Sequence, residues 1–182
     1  MDYTEKKLRR VNGYTGIIVD VHTDMIRLPN GEVTMREVVH HPGGICVAAV
    51  SDDGMVTLVR QFRYPFAEHL LELPAGKLEP GEEPLPAAKR ELSEETGLEA
   101  EHWTALGAVY TSPGFSTETL YFYLATGLRQ GAAHPDPNEF LDVEQLPLDE
   151  LLRRIDRGEI QDAKTVIGAL RARREMDRKA KI

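Results

Sequence analysis

Cysteine occurs once in the 182 residues, at Cys46. A single thiol forms no internal disulfide and builds no cysteine-based metal centre. It stands in the apolar run "ICVAAV", the setting of a buried strand residue and not of a nucleophile. Tryptophan also occurs once, at Trp103. No stretch reaches the roughly eighteen apolar residues that a membrane-crossing helix needs. Met1 leads straight into "DYTEKKLRR", without the apolar core of a secretory leader, so a cytoplasmic location is expected. Positive charge is short too. The formal net charge is -8, which argues against a general nucleic-acid or membrane-surface binder. The one basic cluster, "RARREMDRKAKI", reads as the solvated end of a last helix and a frayed tail. Internal repeats and low-complexity tracts are missing as well.

What is present is a chain of one-domain size, 41% hydrophobic, ample for a core. "MIRLPNGEVTMREVV" is a hairpin signal, with alternating apolar residues either side of Pro29-Asn30-Gly31. "ICVAAVS" and "MVTLVRQFR" read as strand, turn, strand around Asp52-Asp53-Gly54. "LLELPAG" is short and extended. A helix is expected from Pro84 to Thr96, with Pro84 and Pro86 confined to its first turn and Gly97 as a left-handed cap. Leu85, Ala88 and Leu92 form its buried stripe. Strands follow around "WTALGAVYTS" and "TLYFYLATGL". A short strand and a helix opened near Pro147 come next, then a last helix capped by Asp162. Strands, helix, strands, helices make an α/β (α+β) chain, a sandwich of α/β/α type with a mixed sheet. Residues 1–40 read as an antiparallel strand extension and 41–182 as the main domain.

The helix carries an oddity. "RELSEETG" places Glu91, Glu94 and Glu95 on one face, beside the buried stripe. Like charges so spaced cost a few tenths of a kcal/mol per pair, roughly. They also crowd the negative pole of the helix. A hard divalent cation reverses that sign, because Mg2+ or Mn2+ takes carboxylate oxygens together with phosphate and water. A solvated acidic face is the alternative for such a helix in isolation. The surroundings favour the cation. "PAGKLEPGE" is a glycine-bearing turn just before the helix, and Arg90 can pair with Glu94 or Glu82 and orient them.

The spacing Gly76, Glu82, Arg90-Glu91-Leu92, Glu94-Glu95, Gly97-Leu98 resembles the Nudix box at every defined position over 23 residues. "EVVHHPGGICV", "LVRQFRYP", "LELPAGKLEPGE" and "NEFLDVE" extend the resemblance to the ADP-ribose pyrophosphatase branch of the Nudix hydrolases. Pro113 in "TSPGF", sixteen residues past Gly97, is a further mark of that branch, although "SPG" alone is only a turn.

The resemblance implies a Nudix-type fold and a divalent-metal-dependent hydrolysis of the pyrophosphate bond of ADP-ribose, to AMP and ribose 5-phosphate, or of a related nucleoside diphosphate sugar. It implies more than one Mg2+ or Mn2+ ion, held by Glu91, Glu95, Glu94 and the carbonyl of Ala75. Glu82 and Arg90 steady the loop on the helix. Glu139, in "HPDPNEFLDVE", is the expected general base, and Glu118 is its rival or a substrate contact. Arg63 in "QFRYP" and Arg36 in "MREVV" are expected at the phosphates, with Pro113 and Gly114 near the substrate. Some relatives clamp the base between N-terminal tryptophans. Here Trp103 lies downstream, and Tyr14, Met35 or Tyr64 would have to serve. The resemblance also implies a homodimer built through the strand extension, with no nucleic acid and no membrane as partner. A triphosphate-cleaving enzyme of the same fold and an inactive ADP-ribose sensor are the competing readings. Pro113 and the extension oppose the first, and the full set of box carboxylates opposes the second. His40 and His41 read as a strand-end turn.

Overall fold

The computed structural model describes residues 2–132 and 140–181. Two compact units emerge, Met1–Gly43 with Val109–Thr119, and Gly44–Ala108 with Leu120–Ile182.

The first unit holds a three-stranded antiparallel sheet, β1 (Lys6–Thr15), β2 (Asp20–Arg27) and β3 (Val33–His40), in that order. The hairpin signal is realised between β2 and β3, with Arg27 opposite Val33 and Gly31 at a φ of 90°. β2 alternates in burial, with His22, Asp24 and Ile26 on its inner face. β1 is exposed along its whole length. The segment around Pro113 joins this unit through backbone bonds: Val39 N–H donates to the Phe115 carbonyl at 2.7 Å, and Thr117 N–H donates to that of Val39 at 2.9 Å.

In the second unit, β4 (Gly44–Ala49) runs between β7 (Ala75–Lys77), antiparallel, and β9 (Thr119–Gln130), parallel, with β8 (Leu98–Tyr110) beyond β9. The sheet is therefore mixed. Every residue of β4 is buried, as its unbroken apolar run requires of a strand covered on both faces. On one face Ile45, Val47 and Ala49 meet Ala87, Ala88 and Leu92 of α1 (Pro84–Thr96). On the other, Cys46 faces α3 (Ala163–Lys179) at Gly168, whose missing side chain lets helix and strand approach. This is a helix–sheet–helix layering, read from two periods, 2 in the strand and 3.6 in the helices.

A second sheet has the order β10 (Leu141–Pro147), β5 (Met55–Arg63), β6 (Glu68–Glu72), all antiparallel. The strands either side of Asp52-Asp53-Gly54 thus form no hairpin ladder. They meet in one bridge, Val50 with Val56, and then part into different sheets. α2 (Leu148–Asp156) follows Pro147 directly and buries Leu148 and Leu151. Trp103 is half-buried against the α1 core cluster, edge-on to Tyr123 at 6.3 Å.

Candidate active site

α1 has the bounds that its sequence specifies. Pro84 opens it, and Gly97 closes it in the left-handed conformation (φ 70°), donating its N–H to the Ser93 carbonyl at 2.8 Å. The buried side is wider than the apolar stripe. It takes in Glu91 and Glu95, at 8% and 3% exposure, with Ala87, Ala88 and Leu92, while Leu85 is only half-buried. Two carboxylates one helical turn apart therefore lie inside the protein wall.

The short segment after β6 receives them. Glu95 Oε2 accepts the Ala75 N–H at 3.1 Å. Glu91 lies directly over Gly76, where a Cβ would stand 1.9 Å from its carboxyl carbon. Gly76 is needed for this close approach and not for a special backbone angle. This glycine makes room for a carboxylate.

Arg90 organises the rest. Its Nη1 donates to Glu91 at 3.0 Å and to Glu94 at 2.9 Å, and its Nε and Nη2 donate to Glu82 at 3.0 and 2.9 Å. Glu82 in turn accepts the Glu79 N–H at 3.0 Å, tying the loop to the helix. The Arg90 bonds hold the Glu82 carboxyl below its ordinary pKa and push that of the guanidinium up. Among the described residues no cluster of three or more His, Cys, Asp or Glu is drawn together as a metal site. Glu91 and Glu94 converge on Arg90. The donor chemistry nonetheless fits a hard divalent cation: every candidate ligand is an oxygen, two of the carboxylates are buried, and one guanidinium is shared among three acids.

Arg63, at the end of β5, forks both of its donors onto Glu72, Nε and Nη2 each at 2.7 Å. Glu72 is 1% exposed and also binds Lys164 of α3. Burial pushes the Glu72 carboxyl up, but the hydrogen bond from Arg63 and the charge of Lys164 outweigh it and leave the pKa below its ordinary value. The sequence reading passed over Glu72 and Lys164. Their signal was an acid inside the apolar run "LLEL", which demands a buried cationic partner.

Of the remaining expected residues that the structure describes, all but Tyr64 lie in the first unit. Arg36 forks onto Glu5 at 3.1 and 2.6 Å. Pro113 and Gly114 form an exposed turn. Glu118 accepts the Thr111 hydroxyl at 2.6 Å and stands 3.6 Å from His41. His41 Nδ1 accepts the Gly43 N–H at 3.0 Å, a local turn bond. Tyr14, Met35 and Tyr64 are all exposed. Glu139 lies outside the described residues.

Comparison with known proteins accords with this arrangement. The family described as "NUDIX domain" matches residues 39–167. A methanol dehydrogenase activator of Bacillus methanolicus is 42% identical over 91% of this chain and 90% of its own length. An ADP-ribose pyrophosphatase of Bacillus subtilis is 41% identical over 88% of each. A crystal structure of an ADP compounds hydrolase superposes with a TM-score of 0.85, covering 98% of this chain and 97% of that one at 21% identity, a likeness of fold. With the family matched across most of the chain and relatives this similar along nearly all of it, the protein belongs to the Nudix family.

Proposed function

We propose that the protein hydrolyses the pyrophosphate bond of ADP-ribose, or of a related nucleoside diphosphate sugar, with the help of divalent metal ions. The observation that carries this reading is the buried pair Glu91 and Glu95, seated on the Ala75-Gly76 backbone. Two acids one helical turn apart in a protein wall offer the carboxylate oxygens that a hard divalent cation takes. The 41%-identical relative named an ADP-ribose pyrophosphatase supports the choice of substrate.

Mg2+ or Mn2+ is the ion class that suits all-oxygen donors. Glu91, Glu95, Glu94 and the Ala75 carbonyl would hold more than one such ion. Bound there, the metal neutralises phosphate oxygens and lowers the pKa of water. The chain's own residues then have separable tasks. Arg90 and Glu82 fix the loop against the helix and keep Glu91 and Glu94 aimed. Arg63, with Nε and Nη2 held on Glu72, would meet a phosphate through Nη1 of its oriented guanidinium. Arg36 is a second phosphate contact, and Pro113 and Gly114 shape the substrate turn. Glu139 accepts the proton of the attacking water, with Glu118 as the alternative base or a substrate contact.

The reading further assigns residues 1–40 to a dimerisation extension and 41–182 to the catalytic domain, in a cytoplasmic homodimer. Exposed Leu8, Val11, Tyr14, Ile17 and Ile18 in and after β1 support the dimer. No helix among the described residues is long and apolar enough to cross a membrane.

The test is AMP release from ADP-ribose with Mg2+, for the wild type and Glu95→Gln. The wild type should turn over, and the variant should bind the compound yet lose about a hundredfold or more in rate. If both bind and neither releases AMP, the protein is a sensor and the enzymatic reading fails.

A further inference from the structure

The first turn of α3 packs on the end of β6, a segment about ninety residues upstream along the chain. Asp162 caps the helix, accepting the Thr165 N–H at 2.9 Å and the Thr165 hydroxyl at 2.5 Å. The same hydroxyl oxygen accepts the Leu73 N–H at 2.9 Å. Lys164 binds Glu72 and lies 2.9 Å from Asp162. One turn on, a Cβ at Gly168 would stand 2.6 Å from a Leu73 methyl, so the helix sits tightly on residues 72–73.

Residues 72–76 are the hub of the site. Glu72 holds the Arg63 fork. Pro74 accepts the Val47 N–H at 2.9 Å, and Ala75 and Gly76 meet Glu95 and Glu91. Exposure falls steeply through the network: the Arg63 side chain is 38% exposed, Lys164 15% and Glu72 1%. The open end is the arginine; behind it Lys164 is half-buried and Glu72 fully buried.

Stability alone does not account for this chain of charges. A buried ion pair roughly cancels its own desolvation cost, and apolar residues of similar volume do as well. What the charges provide is orientation. A carboxylate pinned from behind by an ammonium has a fixed plane, and a bidentate guanidinium inherits that plane.

We propose that Lys164 is a positioning residue for phosphate binding: it fixes Glu72, and Glu72 fixes the Arg63 guanidinium toward the diphosphate. This rests on the reading of Arg63 as a phosphate contact. Lys164 itself does not touch substrate in this scheme.

A double-mutant cycle tests it. KM and kcat for ADP-ribose, and the Kd of its non-hydrolysable α,β-methylene analogue, are measured for wild type, Lys164→Met, Lys164→Arg, Arg63→Ala and the Lys164→Met/Arg63→Ala pair. Lys164→Met should raise KM and Kd about tenfold with kcat within about twofold. Lys164→Arg should restore most of the loss. In the Arg63→Ala background, Lys164→Met should add almost nothing, because its effect passes through Arg63. Unchanged KM and Kd in a folded Lys164→Met protein overturn the proposal. So does an effect that adds in full to that of Arg63→Ala. If Lys164→Met does not fold, Lys164→Gln, which keeps a donor without the charge, takes its place in the cycle. A wild type that neither binds nor cleaves ADP-ribose overturns the functional reading, and this proposal with it. A wild type that turns over beside an indifferent Lys164→Met overturns the proposal alone.

Discussion

Glu72 makes a measurable claim about pH. Its folded pKa lies below the ordinary 4.5, since Arg63 and Lys164 outweigh the burial that would raise it. A carboxylate depressed on folding adds stability that is fully present above its unfolded pKa and is lost as pH falls through the folded one. The thermal stability of wild type should therefore fall as pH drops below about 4.5, and Glu72→Gln should lack that component of the slope. Gly76→Ala is a second test at this scale. The new methyl would occupy the place of the Glu91 carboxylate. Turnover should drop about a hundredfold or more, the effect of displacing a reacting group by an ångström, while the melting curve stays cooperative. The acids Glu91, Glu94 and Glu95 were legible in the sequence because helical spacing alone puts them on one face. Glu72 stands out locally as an acid in "LLEL", but its partner Lys164 was not legible, because it lies 92 residues away and no local pattern announces a contact of that range. The crowding at Gly76 was not legible either: nothing in "PAGK" tells that the group against it is a side chain of the next helix.

At the scale of elements, α1 was readable to the residue, since a proline in the first turn and a glycine past the last are physical stops. Gly97 adopts φ 70° and bonds back to Ser93. Gly97→Ala should cost about 1–2 kcal/mol, the penalty of a left-handed residue bearing a Cβ, read as a lower urea midpoint with an unchanged m-value. Leu92→Ala on the same helix should cost more, about 2–5 kcal/mol, because Leu92 is fully buried among Ile45, Val47 and Ala49. The Asp162 cap was likewise visible from its residue type. The partition of β4 and β5 into different sheets was not. Both are apolar strands beside an Asp-Asp-Gly turn, and the choice of partner is made by β7, β9 and β10, all distant in sequence. Periodicity tells which face of a strand is buried and is silent on its neighbour.

At the scale of the whole molecule, β1 is an edge strand, last in the order β1-β2-β3 and exposed throughout. Such an edge invites pairing with another chain. Here the open run is interrupted: the register shifts between Lys7 and Arg9 and again between Arg10 and Asn12, and the four cations Lys6, Lys7, Arg9 and Arg10 line it. Bulges and like charges oppose indefinite strand-to-strand growth. The apolar side chains of the same region remain uncovered. Ile17 is fully exposed, with Ile18 at 54% and Tyr14 at 66%, and such a cluster is the mark of a surface that meets a partner. A closed two-fold contact through the β1–β2 hairpin satisfies both features, because it covers the apolar residues once and leaves no further edge to propagate. Sedimentation should accordingly give a dimer for the wild type. Ile17→Asp combined with Ile18→Asp should give a monomer that melts as cooperatively as before, since neither side chain contributes to the core. A wild type that sediments as a monomer at micromolar concentration, or a doubly substituted protein that remains a dimer, would remove the hairpin from the interface.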